Sequence, residues 1–183
     1  MTVGMKHLNA VGLMGLLLVG CSTAPKTSAD RVTLQEESRT ALRRAITMDP
    51  TLQAFLDKSA AYVVFPSVGK GGLIVGGSYG RGIAYQNGVQ IGYADITQAT
   101  VGAQVGGQTY TEILAIEDAA TLARFKTGKV SLSANASAVA LKSGAAAAST
   151  AGYKEGLVVF VQPTGGLMAE ATIGGQQFTF QEQ

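Results

Sequence analysis

The chain has 183 residues, 46% of them apolar, with 14 Lys and Arg against 12 Asp and Glu, one Cys and one His. That length and apolar share fit one folded domain with a full core and exclude a disordered chain. The near-balanced charge argues against a nucleic-acid surface, a single Cys excludes an internal disulfide, and 24 glycines point to a backbone that bends sharply or packs closely.

Lys6 and His7 precede a 13-residue apolar run, Leu8 to Gly20. A spanning helix needs about 20 such residues, so the run has the size of a signal-peptide core. It ends in Leu18-Val19-Gly20-Cys21, which resembles the bacterial lipobox. The resemblance implies cleavage before Cys21, a diacylglycerol on its sulfur and a fatty acyl group such as palmitate on the new amino terminus. Several acyl chains hold a protein stably on a bilayer where one would not. Ser22, in place of Asp, implies sorting to the outer membrane. Residues 1–20 are therefore expected to be a lipoprotein signal peptide. Residues 21–32, small and polar with Pro25, are expected to be a flexible tether, and 33–183 the domain.

Loss of the signal removes Lys6 and His7, so the remaining chain has no His and a lipidated Cys. A Ser-His-Asp triad, a Cys-His pair and a Cys/His zinc site are all excluded. Asp95, Glu112 and Glu170 are scattered, and the adjacent Glu117 and Asp118 read as the start of a helix. No spacing selects a catalytic pair. The sequence thus predicts a protein that is not an enzyme and needs neither cofactor nor metal.

Thr33 and Glu36 have capping-box spacing and predict a helix from Leu34 to about Met48. Leu34, Ala41, Ala45 and Met48 share a stripe at 100° per residue, with Arg39, Arg43 and Arg44 on the other side. Asp49-Pro50 opens a second short helix that ends near Ser59. The period then becomes that of strands. Tyr62-Val63-Val64-Phe65 reads as a short buried strand closed by Pro66, and Gly71 to Gly80 as a glycine-rich strand. Asn87-Gly88 marks a hairpin. From Ala99, Val101, Ala103 and Val105 lie on one face, and Thr100, Gly102, Gln104, Gly106, Gln108 and Tyr110 on the other. A helix follows from about Asp118 to Lys126, stopped by Gly128. Residues 131–151 read either as partial helix or as a long loop. Leu157 to Val161 is a strand, Pro163-Thr164-Gly165 turns the chain into Leu167 to Ile173, and Gly174-Gly175 turns it again. The pattern predicts an α+β fold: a mainly antiparallel, glycine-rich, strongly coiled sheet or barrel, with helices at the N-terminus and in the middle.

The segment from Ala60-Ala61-Tyr62-Val63-Val64-Phe65-Pro66 through Gly69-Lys70-Gly71-Gly72 to Gly80-Arg81-Gly82 resembles the opening of the SYLF domain, also known as a yeast-type actin-binding domain. The likeness continues through Val101-Gly102-Ala103-Gln104-Val105-Gly106-Gly107-Gln108 and Gly166-Leu167-Met168-Ala169-Glu170 to Gly174-Gly175, spanning roughly Leu34 to Phe180. Ser133 to Lys154 departs from eukaryotic members, which carry more glycine there. The resemblance implies binding of phosphoinositide-like anionic headgroups, helped by a basic amphipathic segment at the start of the domain. Actin binding is not expected in a bacterial envelope.

The candidate lipid-binding residues are Arg39, Arg43, Arg44 and Lys70, beside the lipidation site Cys21. The arginines read equally as ordinary helix chemistry, since Glu36 and Arg39 form an i,i+3 pair. Gly69-Lys70-Gly71-Gly72 lacks P-loop spacing and reads as a glycine turn that could present N–H groups to a phosphate. The Gln104, Gln108 and Tyr110 face reads as either a polar cleft or a solvated surface. The expected function is a lipid-binding module of an envelope lipoprotein. The alternatives are a structural or partner-binding protein whose lipid contact is Cys21 alone, and a small-ligand binder with an apolar pocket inside a barrel.

Overall fold

The computed structural model describes residues 23–128, 130–132, 139–140 and 152–183. The signal segment and Cys21 lie outside them, as does most of 131–151. Two helices, α1 (Ser28–Met48) and α2 (Thr51–Leu56), precede three strands, β1 (Ala61–Gly72), β2 (Val75–Gln86) and β3 (Val89–Ile116). Then come α3 (Ala119–Lys126), two short strands, β4 (Val130–Leu132) and β5 (Val139–Ala140), and the long β6 (Leu157–Glu182).

The fold class is as expected: α+β, with one curled, almost wholly antiparallel sheet. β3 makes the curl. Its first half pairs with β2, from Gln86↔Val89 to Val75↔Val101. Its second half pairs with β1, from Gly72↔Gly106 to Ala61↔Ile116. Since β1 and β2 also pair with each other, β3 bends around the tip of their hairpin. β6 follows β3 along its whole length, from Ile116↔Leu157 to Gly92↔Glu182. β4 extends the far edge, and β5 adds the sole parallel pairing among the described strands. The result is a half-barrel whose two long strands each serve both flanks.

Each face of the sheet carries a core. On the outer face, Leu34, Ala41 and Ala45 of α1 and Leu52 and Leu56 of α2 pack on Val64, Ile83, Ile113 and Phe160. On the inner face, Leu122 and Phe125 of α3 pack with Val63, Phe65, Val68, Ile96, Leu114 and Phe178. These side chains pack the inner face beneath α3.

Four expectations are corrected. α1 begins at Ser28, because Thr27 caps it by accepting from the Asp30 backbone N–H at 3.1 Å. Thr23 and Ala24 are buried against β6, where Gln181 accepts from the Ala24 backbone N–H at 3.1 Å. Little of 21–32 is thus left as tether. Pro66 does not end β1: a register shift between Val64 and Ser67 absorbs it, and the strand runs on. The chain instead reverses at Leu73–Ile74, inside the stretch that reads as a single glycine-rich strand. β6 is likewise unbroken. Thr109 pairs with Gly165 and Tyr110 with Pro163, so Thr164 is an extra residue at a bulge that tolerates the missing proline N–H. The Asn87-Gly88 turn is as expected, with φ of 52° and 75°.

Candidate functional site

The second half of α1, Arg39 to Met48, holds three arginines and no carboxylate, whereas Asp30, Glu36 and Glu37 lie before it. The small side chains Ser38, Ala41 and Ala45 face the sheet and let the helix lie close. Met48, expected in the stripe, is exposed. The arginines project on the other side. Arg39 reaches Glu36 at 3.0 Å, but both side chains are more than half exposed, and such a pair holds its arginine weakly. Arg43 donates to the Thr40 hydroxyl at 3.0 Å. Arg44 lines a shallow recess together with Glu36, Glu37, Pro66, Ser67, Thr111 and Thr164. The three arginines are exposed on the second half of α1, with Glu36 and Glu37 one to two turns before them.

Lys70 is not part of this group. Its register partners are Ser78 and Gln108. It follows Val68 by two residues, and Val68 belongs to the inner core. Lys70 therefore leaves the sheet on the face opposite α1, and the four candidate cations do not converge.

The inner face around Lys70 is polar. Ser78 donates to Gln98 Oε1 at 3.0 Å, and the Tyr110 hydroxyl approaches Ser78 Oγ at 3.5 Å. Farther in, Gln176 Nε2 donates to Glu112 Oε2 at 3.0 Å. Glu112 is fully buried and its Oε1 has no partner. Burial pushes its carboxyl up to about 8, against the opposing hydrogen bond from Gln176. Of the face that reads as a polar cleft or a solvated surface, Tyr110 is buried and Gln108 half-buried. The side chain of Gln104 is not described.

The opposite set, Val101 and Val105, is exposed at 62% and 66%. The period of two is thus present, but the apolar side faces out. Leu73, Ile74 and Val75 at the β1–β2 tip are exposed as well. Nothing in the sequence reading singled out this end of the sheet. Its signal was there: residues 71–80 and 96–111 carry no charged side chain.

Two further carboxylates, Asp118 and Asp95, have structural roles. Asp118 caps α3 by accepting from the Thr121 backbone N–H at 2.7 Å, and that hydrogen bond holds its carboxyl below the ordinary range. Asp95 lies 3.3 Å from the Arg81 guanidinium. Burial raises its pKa while Arg81 opposes the shift. Among the described residues no three His, Cys, Asp or Glu come together as a metal site, and no helix is long and apolar enough to cross a membrane.

Residues 97–183 match the family model Ysc84, described as "Las17-binding protein actin regulator". That stretch runs from the middle of β3 to the end of β6. The chain is also 28% identical over 156 residues to "Beta cell expansion factor A" of Aeromonas veronii. The alignment covers 84% of this chain and 59% of that protein, so the chain spans less than two thirds of its relative's length.

Proposed function

From the premise that the chain belongs to the SYLF (Ysc84) family, we propose that it is a lipid-binding module that docks on anionic phospholipid headgroups. In this reading it is a binding module and not a catalyst. Cys21, acylated, tethers it to a bacterial membrane, the outer membrane by the residue that follows. The observation that carries the reading is the group of Arg39, Arg43 and Arg44, all exposed on the second half of α1, with no carboxylate between Arg39 and Met48 and Glu36 as the exposed partner of Arg39. A cation near an anionic bilayer contributes about 1 kcal/mol, and the contribution decays within a Debye length. Three of them, none held in a buried pair, act together at one surface. Lys70, on the other face of the sheet, is not assigned to the group.

The test is co-sedimentation of the chain from Ser22 onward with vesicles at low salt. All core residues lie between Ala24 and Phe178, so this chain retains the whole fold. Recovery with phosphatidylglycerol vesicles is expected to exceed that with phosphatidylcholine and to fall with added salt. The triple variant Arg39→Glu, Arg43→Glu, Arg44→Glu is expected to weaken anionic binding by about 100-fold or more, given some 1 kcal/mol per cation. Equal recovery on the two vesicle types would remove the headgroup reading and leave a protein whose lipid contact is its acyl anchor.

A further inference from the structure

The end of the half-barrel around the β1–β2 tip is built inside out. Leu73, Ile74 and Val75 are exposed at 66%, 74% and 69%, beside Val101 and Val105 at 62% and 66%. They are contiguous: Val75 pairs with Val101, and the Gly102 backbone N–H donates to the Ile74 carbonyl at 2.9 Å. On the inner face of the same strands Ser78, Thr100 and Tyr110 are buried. A sheet folded in water turns its apolar side inward. Polar in and apolar out is the alternation of strands that face lipid. β1 and β2 pair with each other and with β3, and β3 pairs with β6, so both edges of the hairpin and of β3 are paired, while the outer side of β6 has described partners at 160–161 and 176–178 only.

We infer that this end, with Leu73–Val75 at its apex, enters the hydrocarbon of the bilayer whose headgroups α1 contacts. The inference rests on the lipid-binding reading above and deepens it by naming the penetrating surface. The arginines are placed to fit. Arg44 lines a recess with Pro66 and Ser67, and Leu73 is six residues farther along β1, a reach of about 20 Å at 3.3 Å per residue. A headgroup layer is roughly 5–8 Å thick on each side of the hydrocarbon. With the arginines at phosphate level, the tip therefore lies in the acyl chains. Residues 71–80 and 96–111 bring no charge into that layer; the charged residues at this end are Lys70 on the inner face of β1 and Glu170 on β6, which pairs with Gln104.

The chain from Ser22 onward contains no cysteine, so Ile74→Cys gives a single site for an environment-sensitive NBD label. Val89→Cys, equally exposed and beside the Asn87–Gly88 turn at the other end of β2, is the reference. With phosphatidylglycerol vesicles, the label at 74 is expected to gain emission several-fold, shift to the blue and be quenched by doxyl lipids. The label at 89 is expected to stay aqueous. The variant Leu73→Ser, Ile74→Ser, Val75→Ser, which touches no core residue, is expected to lose about tenfold or more in vesicle affinity, as the transfer of three aliphatic side chains requires. Sedimentation with vesicles while the label at 74 stays aqueous would overturn the penetrating tip and leave headgroup docking intact. A label at 74 already shielded without lipid, in a chain that sediments as a dimer, would assign the face to a second copy and overturn it as well. Failure to sediment with any vesicle would remove both readings.

Discussion

Gly82→Ala is expected to cost the fold about 3 kcal/mol, while Gly71→Ala is expected to change stability by less than about 1 kcal/mol. The difference comes from the bulge in β1. Val64 pairs with Ile83 and Ser67 with Arg81, so Gly82 faces the extra residues of the bulge. A Cβ at position 82 would stand 2.5 Å from the Val64 carbonyl oxygen and 2.7 Å from Phe65 Cδ1. Neither neighbour is free to retreat. The carbonyl is backbone, and the Phe65 ring is fully buried with its centroid 6.0 Å from that of Phe178. At position 71 a Cβ would meet its nearest atom, the Gly106 carbonyl oxygen, at an ordinary 3.6 Å. There the added side chain also narrows the unfolded ensemble, which offsets part of any loss. Urea unfolding of the two variants, compared at constant m, measures both effects. A Gly82→Ala midpoint equal to that of the native chain would mean that the bulge does not press on β2.

The same bulge decides how much of the site was legible. Local chemistry read well wherever one residue type settles the geometry: Asn87-Gly88 at a turn, Asp118 at a helix start, the strand period beyond Ala99. Reversal at Leu73–Ile74 was not legible, because neither residue is a turn former and only pairing with β3 fixes the chain there. Pro163 and Gly174-Gly175 misled in the opposite sense. They read as turns, yet β3 holds β6 straight through them with one bulged residue. Lys70 shows the consequence for function. Counted by twos from Val64, which faces α1, Lys70 falls on the helix side with the arginines. The register shift between Val64 and Ser67 moves Val68 and Lys70 to the other face. A slip of one residue exchanges the faces of everything beyond it, and no local pattern in Phe65-Pro66-Ser67 fixes where the slip occurs. The outward apolar face had a visible sequence signal in its lack of charge. Its direction was set by the curl of β3, a long-range property.

Stability is expected to fall as pH rises from about 5 to 8, and Glu112→Gln is expected to abolish most of that slope. Burial raises the Glu112 carboxyl from 4.5 to about 8 in the folded chain. Between those values the folded state holds a proton that the unfolded state has released, so added base favours unfolding. The contribution is fully present below about pH 4.5 and is lost as pH passes through about 8. The slope approaches 1.4 kcal/mol per pH unit, on the order of 4 kcal/mol across the window. Asp95, also raised by burial, adds the same sign of slope, and Asp118, held down by its capping bond, adds the opposite sign. A glutamine at 112 keeps an oxygen for the Gln176 amide and carries no charge to bury, so its variant should unfold at nearly constant urea concentration from pH 5 to 8. Above pH 7 it should be the more stable protein. A native chain whose midpoint does not move across that range would show that water reaches the Glu112 carboxylate, and with it the polar inner face between Ser78 and Gln176.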